Sequence, residues 1–158
     1  MAQEIERKFL IVDDSWRDNA GPAVFISQGY LGDAKHASVR VRVEGERANI
    51  NIKGVTLGIR RTEYEYPIPR DEALEMLNNL CQKPLIEKHR YEVKVGDHIW
   101  EVDLFEGDNA GLVVAEVELE SEDQPFEKPP WAGEEVSGDA RYYNVCLVNH
   151  PYKDWDDR

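Results

Sequence analysis

Residues 39–53 read VRVRVEGERANINIK. Val39, Val41 and Val43 alternate with Arg40 and Arg42; after a Glu44-Gly45-Glu46 turn, Ile50 and Ile52 alternate with Asn49, Asn51 and Lys53. Successive side chains on a strand point to opposite faces, so this is a β-hairpin with one apolar face and one face of cations and amides. The same period of two recurs along the chain. Glu4, Glu6 and Lys8 share a face opposite Ile5 and Phe9, with Arg7 breaking the pattern. Gln28 and Tyr30 are in phase in the run from Phe25, and Glu63 and Glu65 oppose Tyr64 and Tyr66. Lys88, Arg90, Glu92 and Lys94 oppose Tyr91, Val93 and Val95, while Glu101 and Asp103 oppose Trp100, Val102 and Leu104. In the last run Glu116, Glu118 and Glu120 oppose Val117 and Leu119.

These eight strands are separated by short glycine-bearing turns at 44–46, 54–58, 96–97 and 107–108, which predicts a largely antiparallel meander. Two helices complete an α+β reading. One follows Pro69, is capped by Asp71, carries Leu74, Met76, Leu77, Leu80 and Cys81, and stops at Lys83-Pro84. The other opens at Ser137 or Asp139, places Tyr142, Val145, Cys146 and Asn149 on one side, and ends at Pro151. Residues 124–131, rich in proline, are expected to be an irregular connection, and Asp154–Arg158 a frayed tail. Trp100, Trp131, Tyr142 and Tyr143 are expected to pack helices against the outside of the sheet.

A length of 158 residues points to one domain, spanning 1–158. An apolar content of 41% supports a core, and 32% charged residues exceeds the ~25% of average domains. No run approaches the ~18 apolar residues of a membrane span, and MAQEIERKF lacks the apolar stretch of a secretory signal, so the chain is read as cytoplasmic with no membrane partner. Cys81 and Cys146 stand without a CxxC or Cys/His spacing, and His36, His89, His98 and His150 show no metal spacing. The net charge of −13 disfavours a nucleic-acid partner. That charge is unevenly spread: residues 35–61 hold seven cations and two acids, whereas residues 97–127 hold eleven acids and no Lys or Arg.

Two architectures satisfy the alternation. An open sheet would cover its apolar side with helices and turn its charged side to water. A closed eight-stranded barrel would turn the apolar faces outward and the charges inward, around a space wide enough for side chains or one small ligand. Buried ions of both signs then need water, metal or ligand, because an unpaired ion in a dry interior costs several kcal/mol.

EIERKF, VRVR, INIKG, TEYEYPI, IEKHRY, EVDLFEG, AEVELES and PPWAGEEVSGDARYYN, in this order from Gln3 to about Pro151, closely resemble the CYTH domain, also called the triphosphate tunnel metalloenzymes. The resemblance implies an eight-stranded antiparallel β-barrel, helices packed on its outside, with a charged tunnel that binds a triphosphate with a divalent metal, Mg²⁺ or Mn²⁺. It is to the stand-alone bacterial type, and it allows a homodimer, as in some relatives. Lys8, Arg40, Arg42, Lys53, Lys88 and Arg90 are in phase to offset the four to five charges of a triphosphate. Of the adjacent Arg60 and Arg61 only one can face inward, and Arg61 is in phase with Glu63. Carboxylates need a cation between themselves and phosphate; Glu4 and Glu6, with Glu116 and Glu118, supply it with oxygen ligands if closure brings the first and last strands together. By resemblance Asp103 joins this metal-binding group, and Glu63 and Glu65 line the tunnel.

The activity this implies is metal-dependent hydrolysis of inorganic tripolyphosphate to pyrophosphate and phosphate. A nucleoside triphosphatase or adenylate cyclase of the same fold, and a polyphosphate- or nucleotide-binding module without turnover, are the alternatives. Lys53, if crowded by Arg40 and Arg42, would have a lowered pKa and, with Tyr30, would activate water or protonate the leaving phosphate; Tyr30 reads equally well as a wall residue. No P-loop, GxSxG or Cys/His nucleophile pair is present.

Overall fold

A computed structural model describes residues 3–32, 35–54 and 58–156. Among the described residues nine strands form: β1 (Gln3–Ile11), β2 (Val24–Tyr30), β3 (Ala37–Glu44), β4 (Arg47–Gly54), β5 (Arg60–Pro67), β6 (Ile86–Val95), β7 (His98–Phe105), β8 (Val113–Glu118) and β9 (Ala132–Glu135). Their order, β5-β4-β3-β2-β6-β7-β8-β1, closes on itself because β5 also pairs with β1, at Gln3 with Thr62 through Ile5 with Arg60. All pairings are antiparallel, so the closed eight-stranded barrel is the architecture and the open sheet is excluded.

β9 was not expected. It continues the edge of β1 beyond the point where β5 leaves it, pairing Phe9 with Glu135 and Ile11 with Ala132. Arg7, out of phase in the sequence, is explained by this strand: it faces outward and ion-pairs with Glu135 at 2.9 Å. The 54–58 turn falls partly outside the described residues.

The apolar faces point outward and are covered. Helix α1 (Arg70–Asn79) begins after Pro69, with Asp71 inside its first turn rather than at its cap, and buries Ala73 and Leu77 on Val41, Val43 and Ala48 of the β3–β4 hairpin. The chain after α1 lies so close to β2 that a Cβ on Gly29 would stand 2.7 Å from Cys81 Cβ, which only glycine avoids. On the opposite side Phe9, Trp16, Trp100 and Trp131 pack together, Trp100 and Trp131 edge-to-face at 5.5 Å.

A third cluster closes one end of the barrel. Tyr30, Ile86, Phe105 and Val114 are in phase with the inward-facing Gln28, Lys88, Asp103 and Glu116, and they pack on Tyr142, Leu147, Val148 and Trp155. The second expected helix is broken: a single 3₁₀ turn (Ala140–Tyr142), capped by the Asp139 carboxylate, gives way at Tyr143 (φ −75°, ψ 132°) to a short α2 (Asn144–Leu147). The expected frayed tail is instead anchored by buried Trp155, which stacks edge-on against Tyr142; residues 157 and 158 lie outside the described residues.

Candidate active site

The inward faces enclose a cavity of about 240 Å³ lined by eight carboxylates (Glu4, Glu6, Glu44, Glu63, Glu65, Glu101, Glu116, Glu118) and seven cations (Lys8, Arg40, Arg42, Lys53, Arg61, Lys88, Arg90). Closure is what assembles them: Glu4 on β1 stands across from Arg61 on β5, and Lys8 across from Glu116 on β8. Arg60 points the other way, to Glu122 on the surface.

Inside the barrel each ion's state is set by its burial and its neighbours. Burial, reinforced by the charge of Glu116, pushes the Glu6 carboxyl well above the usual range. Burial acts the same way on Glu116, but Lys8, the hydrogen bond with Glu6, Arg90 and Lys88 outweigh it and hold Glu116 well below. The pair therefore shares one proton, as two close carboxylates in a dry site do. Lys53 sits between carboxylates, 3.0 Å from Glu4 Oε1 and 3.6 Å from Glu63 Oε2, and Arg61 Nε is 3.8 Å from Glu4. Tyr30, pushed up by burial against the pull of Arg40 and Arg42, takes its hydroxyl contact from Gln28 Nε2 at 3.4 Å. Lys53 and Tyr30 both line the cavity, but among the described residues each has partners other than the expected one.

Asp103 is placed differently from its expected partners. It is fully buried behind the lining, and both oxygens are taken: Arg90 holds them bidentately at 2.7 and 2.8 Å, and Lys88 Nζ lies 2.8 Å away. Burial alone would raise its pKa; Arg90 and Lys88 overcome this and hold it down at about 2. Its geometry is that of an internal clamp on two cations. Burial pulls Lys88 down to about 7 although Asp103 opposes it, and it lowers Arg42 to about 10, aided by Arg40.

The CYTH domain family matches residues 2–144. The chain is 48% identical over 155 residues, 98% of its length and 99% of the relative's, to the inorganic triphosphatase of Acetivibrio thermocellus. This chain belongs to the CYTH family. A second relative, the inorganic triphosphatase of Nitrosomonas europaea, is 39% identical over 149 residues, 92% of this chain and 96% of its own. A solved CYTH structure, described as an inorganic triphosphatase, superposes with a TM-score of 0.63 at 37% identity, covering 94% of this chain and 95% of that one.

Several residues in and behind the cavity wall of this CYTH barrel carried only weak sequence signals. Gln28, in phase with Tyr30, and Asn51, in phase with Lys53, were polar positions on the inward face without an assigned part; Asn51 Nδ2 bridges Glu63 and Glu65 at 3.0 and 3.2 Å. Tyr143, expected outside, lies inside: its ring stands 5.0 Å from the Arg61 guanidinium and 5.7 Å from Lys8 Nζ. The break in the second helix turns Tyr143 inward and brings Asn144 and Val145 to the lining. No alternating pattern marks these three, because they come from a plug and not from a strand.

Proposed function

We propose that this CYTH chain hydrolyses inorganic tripolyphosphate to pyrophosphate and phosphate with the help of Mg²⁺ or Mn²⁺. The observation that carries this reading is the convergence of Lys8, Arg40, Arg42, Lys88 and Arg61 with the carboxylates Glu4, Glu6, Glu116 and Glu118 on one cavity. Carboxylates share the cavity with the cations, so divalent cations that offset the substrate's charge strengthen its binding there.

The donor set suits such a cation. All the available ligands are carboxylate oxygens, which hard cations prefer. Glu6 and Glu116 share a proton that a metal can replace, and Glu4, ion-paired with Lys53 at 3.0 Å, lines the same cavity. Glu4, Glu6, Glu116 and Glu118 would hold the metal, with phosphate oxygens and water completing its shell; among the described residues no three carboxylate, His or Cys groups already converge on one point. When bound, the metal neutralises the transferring phosphoryl group and lowers the pKa of a bound water.

The chain's own residues do the rest. Arg40 and Arg42 grip phosphate oxygens with planar forks, Lys8 and Lys88 act as point charges, and together they hold the chain of phosphates in line for displacement. Arg90 and Asp103 fix Lys88 from behind. The apolar plug excludes bulk water from one end, which strengthens each of these contacts. Lys53, beside Glu4, is placed to give its proton to the departing pyrophosphate oxygen, and Tyr30 to act as a rigid wall beside Gln28. Apart from Tyr30, Tyr143 and Val145 the lining is polar, which suits a compact polyanion more than an apolar base. The two free cysteines suit a reducing cytoplasm.

The test offers the purified protein tripolyphosphate, ATP and thiamine triphosphate with Mg²⁺ or Mn²⁺ and measures phosphate, pyrophosphate and cyclic AMP. Phosphate released chiefly from tripolyphosphate is the expected result. Cyclic AMP, or tight binding without product, overturns it.

A further inference from the structure

The cavity's cations fall into two sets by the chemistry of what holds them. Lys53 and Arg61 lean on carboxylates, Glu4 and Glu63. Lys8, Lys88 and Arg42 each donate to a neutral oxygen as well, beside the carboxylates that Lys88 and Arg42 meet, Asp103 at 2.8 Å and Glu44 at 3.7 Å. Lys8 Nζ donates to the Tyr142 carbonyl at 3.1 Å, and Lys88 Nζ to Asn144 Oδ1 at 3.0 Å. Arg42 Nε donates to Gln28 Oε1 at 2.8 Å, and Gln28 Nε2 in turn donates to the same Asn144 Oδ1 at 3.1 Å. Gln28 is wholly buried and Asn144 lies on the cavity wall.

We propose that Asn144, through Gln28 and directly, is a positioning residue that fixes Arg42 and Lys88 for phosphate binding without adding a negative charge beside them. The proposal rests on the triphosphatase reading above. A neutral amide oxygen satisfies one N–H of a buried cation and orients it without cancelling the field that draws the substrate; a carboxylate in the same place would satisfy it equally and cancel that field. Asp103 does not change this balance, because its single charge is divided between Lys88 and Arg90. The Asn144 oxygen receives two donors at once, so one side chain sets the spacing between a β3 cation and a β6 cation from outside both strands.

Asn144→Asp separates positioning with preserved charge from simple anchoring of the C-terminal segment. The aspartate is isosteric and keeps both hydrogen bonds, so anchoring alone predicts wild-type kinetics. The proposal predicts KM for tripolyphosphate raised by about tenfold or more with kcat changed less than about threefold, and binding of tripolyphosphate alone, followed by calorimetry without divalent metal, weakened to a similar degree. Gln28→Glu, which keeps the acceptor for Arg42, is predicted to raise KM in the same direction and serves if the first variant does not fold. Wild-type KM and wild-type calorimetric affinity in whichever variant folds would overturn the assignment. A wild-type protein that neither binds nor turns over tripolyphosphate would instead overturn the functional reading beneath it.

Discussion

Replacing Asp103 by Asn removes one oxygen charge from the centre of the barrel wall and leaves its shape. In the native chain this carboxylate faces Lys88 at 2.8 Å and Arg90 at 2.7 Å, with all three side chains buried or nearly so. Its pKa of about 2, against an ordinary 3.8, corresponds to about 2 kcal/mol of folding stability at neutral pH. A group whose pKa is lowered on folding contributes fully above its unfolded value, and the contribution fades as pH falls from about 4 to about 2. Asp103→Asn loses that term and also strands two buried cations, a change that costs about 3–5 kcal/mol when one partner of a buried pair is removed. Glu101 and Glu116, 3.2 and 3.6 Å from Arg90, soften the loss, and Lys88 can shed its proton. The expected destabilisation is about 3 kcal/mol at pH 7.5, or a drop in Tm of roughly 6–12 °C for a chain of this size. Urea unfolding of wild type and variant measures it, and the acid limb between pH 4 and 2 should be shallower in the variant. A loss below about 1 kcal/mol would refute the clamp and favour the metal-binding role that the resemblance implies for Asp103.

Glu4→Gln should abolish metal-dependent turnover and weaken Mn²⁺ binding seen by electron paramagnetic resonance, whereas Arg42→Ala should mainly raise KM; equal effects of the two on kcat would count against separate metal and phosphate roles. Lys88, pulled down to about 7 by burial, is charged below that pH and neutral above it, so KM for tripolyphosphate should climb from pH 7 to 9 and the climb should flatten in Lys88→Arg. Leu77→Ala, which empties the contact between α1 and the β3–β4 hairpin, should cost about 2–5 kcal/mol in urea unfolding while leaving KM unchanged.

Much of this barrel is legible in the sequence because charged and apolar residues alternate so regularly. Arg40, Arg42, Lys88, Arg90, Glu116 and Glu118 all reach the face that their phase assigns. What alternation cannot reveal is closure. An open sheet and a barrel share one pattern, and the deciding contact, Gln3 with Thr62, joins residues far apart in the chain. Ala132–Glu135 is too short and too close to Pro129-Pro130 to read as a strand, so the partner of Arg7 was hidden. The helix expected over 137–150 followed apolar spacing correctly at Tyr142 and Val145, which pack into the end cluster, but the hydrogen bond from the Tyr143 hydroxyl to the Ser137 carbonyl at 2.6 Å belongs to a turned segment, and it is this turn that carries Asn144 inward. Asp103 is in phase with Glu101 yet lies behind the lining, because two cations flank it more closely than the cavity does.

A crystal grown with tripolyphosphate and Mn²⁺, examined by anomalous scattering at the manganese edge, asks directly whether the barrel interior is the reaction chamber. The account predicts an extended anion lying between Lys8, Lys88, Arg40 and Arg42, with manganese against Glu4, Glu6, Glu116 or Glu118. Anion and metal on the outer surface, with the interior ion pairs undisturbed, would contradict it.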